Sequence, residues 1–155
     1  MGKIYLFVFL VVIAACTSTM EQANFNLDTA IEIVVVDEAN TDLLNPDNPD
    51  AFKQENIRTF HLKNGVTEEV YDSNMDAERG FLIYEQAEQF HLRLFPNDAQ
   101  KETFPITYIQ WTEGNVDTIK CQYRRGNNFV ICSKVWVNNE LAWEGNDQRL
   151  IQILK

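Results

Sequence analysis

The sequence predicts an all-β fold, an antiparallel β-sandwich with an immunoglobulin-like arrangement as first choice. Three observations point there. From residue 29 onward the apolar pattern repeats every second residue; short β-branched and aromatic runs are punctuated by turn residues; and no stretch carries the 3.6-residue period of an amphipathic helix. Many short strands at close spacing indicate a sandwich or a barrel, and their uneven lengths disfavour a regular up-and-down barrel.

The predicted strands are Ala30–Val36, Asn56–Lys63, Val66–Tyr71, Phe81–Glu85, Gln89–Phe95, Pro105–Thr112, Val116–Arg124, Phe129–Val137, Glu140–Trp143 and Arg149–Leu154. Between them stand Lys63-Asn64-Gly65, Glu113-Gly114-Asn115, Gly126-Asn127, Asn138-Asn139 and Gly145-Asn146. Glycine and asparagine tolerate the positive φ that tight hairpins demand, so each of these reads as a turn.

Ahead of the strands the chain has a different character. Met1-Gly2-Lys3 is a short positive segment, followed by an apolar run of twelve residues from Ile4 to Ala15. That is the length of a secretory h-region and short of the roughly 20 residues that span a bilayer. The run ends in Ile13-Ala14-Ala15-Cys16, which resembles a bacterial lipoprotein signal with its lipobox. The resemblance implies cleavage before Cys16, a diacylglyceryl thioether on its sulfur and an acylated amine, and so a partner in the membrane itself. Several chains at about 0.8 kcal/mol per buried methylene make such anchoring effectively permanent. Threonine, not aspartate, after Cys16 favours the outer membrane by the usual sorting rule; periplasmic and surface orientations both remain open. The expected organisation is therefore a signal peptide at 1–15, a lipidated flexible tether at 16–28, and a sandwich domain at 29–155.

The charge is acidic, 13 Lys+Arg against 23 Asp+Glu, a formal −10. Loss of Lys3 with the signal leaves 12 against 23, a formal −11. Scattered cations in so acidic a chain exclude general binding to nucleic acid or to anionic lipid heads. At 155 residues the chain holds one core.

Enzymatic chemistry finds little support. Only Ser18, Ser73 and Ser133 exist, none in a nucleophile elbow. His61 and His91 fall inside separate strands and read as sheet-surface histidines, and no zinc, phosphate or dithiol motif occurs. No catalytic residue, cofactor or metal is expected. Asp37, Glu38, Asn40, Asp42, Asn45, Asp47, Asn48 and Asp50 put eight oxygen-bearing side chains in fourteen residues, which suits calcium in number. The register of a calcium loop and its glycine are missing, so a turn-rich structural loop is preferred.

Aromatic residues offer the best binding hypothesis. A two-residue type I′ turn at Asn138-Asn139 sets Trp136 opposite Leu141 and Lys134 opposite Trp143, so that Lys134, Trp136, Leu141 and Trp143 share one face. Exposed, that face is a stacking platform for a sugar ring or a peptide. Buried, it is core, the preferred reading of the two. Trp111 fits either population.

Cys121 and Cys132 meet directly if the hairpin turns on Gly126-Asn127 alone. A three-residue loop around Gly126 instead places Phe129, Ile131, Val135 and Val137 on the apolar face of Ile119, Cys121 and Tyr123, and sends the cysteines to opposite faces. The apolar register with free thiols is preferred over a disulfide. Asp28-Thr29-Ala30 and Asp117-Thr118-Ile119 resemble the short O-glycosylation triplet of exported Bacteroidota proteins, with Thr29, beside the tether, the more accessible.

Several segments together carry a family resemblance: Asp42-Leu43-Leu44-Asn45-Pro46, Ile57-Arg58 through Phe60 to Lys63-Asn64-Gly65, Tyr108-Ile109-Gln110-Trp111, Asp117-Thr118-Ile119-Lys120-Cys121, and Val135-Trp136-Val137-Asn138-Asn139-Glu140-Leu141 through Trp143. In these the chain resembles small uncharacterised lipoproteins of Bacteroidota gut bacteria. The resemblance reinforces the envelope location and the β-domain and implies no activity. The expected function is a lipid-anchored, non-catalytic binding or adhesion module with an envelope protein or glycan as partner. An accessory or structural subunit of an envelope assembly is the alternative.

Overall fold

Strands whose alternate residues are apolar can bury only one face, so they gain stability by stacking two sheets with those faces inward. In the computed structural model, which describes residues 24–145 and 147–155, this is the arrangement found. Eleven strands form: β1 (Asn26–Asp28), β2 (Ile31–Val36), β3 (Arg58–Lys63), β4 (Val66–Glu69), β5 (Phe81–Gln86), β6 (Gln89–Leu94), β7 (Ile106–Thr112), β8 (Asn115–Gly126), β9 (Phe129–Val137), β10 (Glu140–Glu144) and β11 (Leu150–Leu154). One turn of 3-10 helix, Gln54–Asn56, is the only helical element among the described residues.

The large sheet runs β1-β9-β8-β7-β3-β4, with β10 also on β9. The small sheet runs β11-β2-β6-β5. Pairings are antiparallel except β1 with β9 and β11 with β2, which are parallel. Because β8 occupies one edge of β9, the other edge is completed in two pieces, β1 along 129–131 and β10 along 134–137. The inward rows of both sheets make the core: Ile31, Ile33 and Val35 of β2, Leu92 and Leu94 of β6, Ile109 and Trp111 of β7, Ile119 and Cys121 of β8.

Two expectations change here. The tether was expected to reach residue 28, yet Asn26–Asp28 is a strand, tied down by the Asn26 amide donating to the Asn128 carbonyl at 2.8 Å. Arg149 secures the same strand, with its guanidinium 3.2 Å from the Asp28 carboxylate and 3.1 Å from the Cys132 carbonyl. A polar triplet on an edge carries no apolar period, which is why its sequence reads as coil. Residues 1–23, which hold the expected signal peptide, Cys16 and the start of the expected tether, lie outside the described residues.

The second change is the β8–β9 hairpin. It turns on Asn127-Asn128, with Gly126 opposite Phe129 and Tyr123 opposite Cys132, and a bulge then shifts the register so that Gln122 meets Lys134 and Cys121 meets Val135. One extra residue in β9 turns the alternation over. Val130, Cys132, Val135 and Val137 therefore all face inward, while Phe129 and Ile131 face outward. Neither simple register expected from the sequence forms. Both cysteines lie on the core face with free thiols.

Candidate functional site

The outer face of the large sheet is built by the same alternation that fills the core. In β3, Thr59 points in, so Arg58, Phe60 and Leu62 point out. In β7, Thr107, Ile109 and Trp111 point in, so Ile106, Tyr108 and Gln110 point out. The ladder registers join these outward residues into rows across the sheet. One row runs Leu62, Ile106, Lys120, Trp136, Leu141 over five strands. Beside it runs Phe60, Tyr108, Thr118.

Trp136 lies near one side of this face. The Lys120 ammonium stands 4.9 Å from its ring centroid, and Phe104 meets it edge-on at 5.7 Å and 88°. Leu141, opposite Trp136, is 53% exposed and Phe104 45% exposed. The indole is held from one side by the ring edge and from another by the cation, so it is a fixed surface and not a freely rotating side chain. Lys134 lies on the same face, but its ammonium is bound to the Glu144 carboxylate at 2.6 Å.

Trp143 is not part of it. The Asn138-Asn139 turn forms as expected, with φ of 50° and 72° and Glu140 opposite Val137. A bulge between Leu141 and Trp143 then sets Trp143 opposite Val135 and Lys134 opposite Glu144. Trp143 turns into the core, 9% exposed, with the Arg149 guanidinium 4.8 Å above its ring. The four-residue face expected from an unbroken hairpin therefore splits, leaving Lys134, Trp136 and Leu141 outside. Phe60, Leu62, Phe104, Ile106, Tyr108 and Lys120 also contribute to this face, and no local sequence pattern assigns them to it. For all but Phe104, which lies in the loop before β7, the signal is the outward half of each alternation, and pairing it across strands requires the strand order.

Trp111 is core. Its indole N–H donates to Asp117 Oδ2 at 2.6 Å, and the same carboxylate takes the Lys155 ammonium at 2.6 Å and the Asn138 amide at 2.8 Å. Burial alone would raise the Asp117 pKa, yet these three donors outweigh it and hold the carboxyl below its ordinary value.

The remaining candidates fall elsewhere. His61 belongs to the large sheet and His91 to the small one, where it stacks on Tyr84 at 5.8 Å. In the loop 37–50, Asp37 accepts the Ala39 and Thr41 amides, Asp42 those of Leu44 and Phe90, Asn45 that of Asp47, and Asn48 that of Asp50. Much of its side-chain oxygen is committed to backbone turns. Among the described residues no group of three or more His, Cys, Asp or Glu stands together as a metal site, and no helix is long and apolar enough to cross a membrane. Thr29, expected to be accessible, is buried at 8% exposure, because the strand at 26–28 draws it into the fold.

Fold and site together define a β-sandwich with an aromatic, partly open outer sheet face. Comparison with protein families, with curated proteins and with solved structures finds no match to this chain.

Proposed function

We propose that the protein is a lipid-anchored binding module of the cell envelope, held in the membrane through acyl chains on Cys16, and that it recognises a glycan on the outer face of its large sheet. One observation carries the reading: the row Leu62, Ile106, Lys120, Trp136, Leu141 spans five strands without being absorbed into the core. A pyranose ring has an apolar C–H face that stacks on an indole, and the neighbouring ammonium donates to the hydroxyls at the ring's edge. An open sheet face lets successive sugars lie along it. The acidic loop and the buried Asp117 have structural duties, so catalysis has no support in the site.

A second reading rests on a separate observation. β11 is an edge strand, and Leu150, Leu154 and, on β10, Leu141 are exposed near it. A bare edge with apolar flanks suits a strand supplied by a partner protein, as a subunit of an envelope assembly would need.

Purification of the full chain from native envelopes separates the two. The binding-module reading expects it to leave the membrane with detergent, carrying glycan and no protein in fixed ratio. A stoichiometric protein partner would favour the subunit reading. Cys16→Ser should shift the folded protein to the soluble fraction, and unchanged membrane association would contradict the anchor.

A further inference from the structure

A second, separate concavity lies where the chain between β4 and β5 passes the ends of β3 and β6. Its volume is about 570 Å³, and Val70, Met75, Leu82 and Phe95 give it a mainly apolar wall. Gly80, at φ +73°, lies in that wall with Val70 and Thr59 packed close against its backbone. Asp72, Asp76 and Glu78 complete the lining, all three exposed to solvent. Asp72 accepts from Asn74 at 3.0 Å, but Asp76 and Glu78 have no side-chain partner among the described residues.

His61 also lines the cavity, and its Nε2 is buried with no hydrogen-bond partner. Burial, with the nearby Lys63 ammonium second, pushes its pKa down, so the ring is neutral at pH 7. We assign the one proton of the neutral ring to Nδ1, with the Phe95 carbonyl as its nearest backbone acceptor, so that Nε2 keeps a lone pair with no donor. An acceptor left buried in this way costs free energy until a donor reaches it.

The surrounding charge selects the donor. Besides the three carboxylates of the lining, Glu68 and Asp98 act on His61, whereas the one cation acting on it, Lys63, is paired to Glu68 at 3.2 Å. A carboxylate ligand is repelled, and a neutral apolar one leaves Nε2 unpaired. We infer that this cavity binds a small primary ammonium on an apolar body, its N–H groups shared between His61 Nε2 and the Asp76 and Glu78 carboxylates and its hydrocarbon laid against Val70, Met75, Leu82 and Phe95. The site is independent of the Trp136 face, because His61 points to the opposite side of β3 from Phe60 and Leu62.

Calorimetry of the full chain in non-ionic detergent tests this with three probes that share a phenylethyl body: 2-phenylethylammonium, 2-phenylethanol and 3-phenylpropionate. The ammonium should bind at least about tenfold more tightly than the alcohol, a difference of about 1.4 kcal/mol, and the carboxylate should not bind. The double variant Asp76→Asn/Glu78→Gln changes only exposed side chains, and it should bring the ammonium down to the affinity of the alcohol. His61→Phe should weaken the ammonium and the alcohol together, because each donates a hydrogen bond to Nε2. An ammonium that binds no better than the alcohol, or a preference that survives the double variant, would overturn the inference.

Discussion

Cys121 and Cys132 share the inner face of the large sheet on adjacent strands, yet they meet only on a diagonal, Cys121 opposite Val135 and Cys132 opposite Tyr123. The β9 bulge between them creates this offset. The Cys121 thiol is raised by its hydrogen bond to the Cys132 sulfur and then by burial, while the same bond lowers Cys132. A disulfide needs closely opposed Cβ atoms, which a diagonal does not provide without moving the backbone.

The first prediction follows. Alkylation of the unreduced protein under denaturing conditions should modify both Cys121 and Cys132, and alkylation of the folded protein should modify both slowly, since neither thiol reaches solvent. Mass spectrometry reads the count. A cross-linked pair that resists alkylation until reduced would mean that the hairpin shifts on oxidation.

Tryptophan substitutions should divide by face. Trp111→Ala and Trp143→Ala remove core and should each cost about 3–5 kcal/mol in urea unfolding. Trp136→Ala should cost about 1 kcal/mol or less, because its ring lies on the outer face. Comparable losses at all three would mean that Trp136 is covered by something in solution.

Asp117→Asn should destabilise by about 3 kcal/mol, since it leaves the Lys155 ammonium without its carboxylate. The wild-type carboxyl has a folded pKa below the ordinary 3.8. Its stabilisation is therefore complete above that value and is lost as pH falls through the lower, folded pKa. Unfolding midpoints measured from pH 6 to pH 2 should fall more in the wild type than in the variant, and parallel slopes would remove Asp117 from the acid response.

Arg149→Met should loosen the N-terminal strand while leaving the rest folded. The guanidinium joins Asp28, Ala30 and Cys132, across the place where β1 and β10 divide the edge of β9. Loss of these bonds is worth about 2–3 kcal/mol. Hydrogen exchange should quicken at Asn26–Asp28 and stay slow at Ile109 and Ile119. Uniform quickening would show a global role.

How far the sequence reached can be traced along β9. Its existence, its boundaries and the Asn138-Asn139 turn after it were legible, because alternation and positive-φ turn residues are local signals. The two bulges beside it were not. Each adds one residue to satisfy the burial of Val135 or Trp143, and that demand comes from the opposing sheet, which no local pattern records. The same bulges decided the site. They kept Trp136 outside and drew Trp143 inside, splitting a face that an unbroken hairpin would have kept whole.

The most direct test of the proposed glycan face is retardation in native gels containing soluble neutral or acidic polysaccharides, run with the wild type, Trp136→Ala and Trp143→Phe. Wild type and Trp143→Phe should be retarded together by at least one glycan, and Trp136→Ala should migrate as in a gel without it. Equal retardation of Trp136→Ala, or no retardation of the wild type by any glycan, would contradict binding on this face.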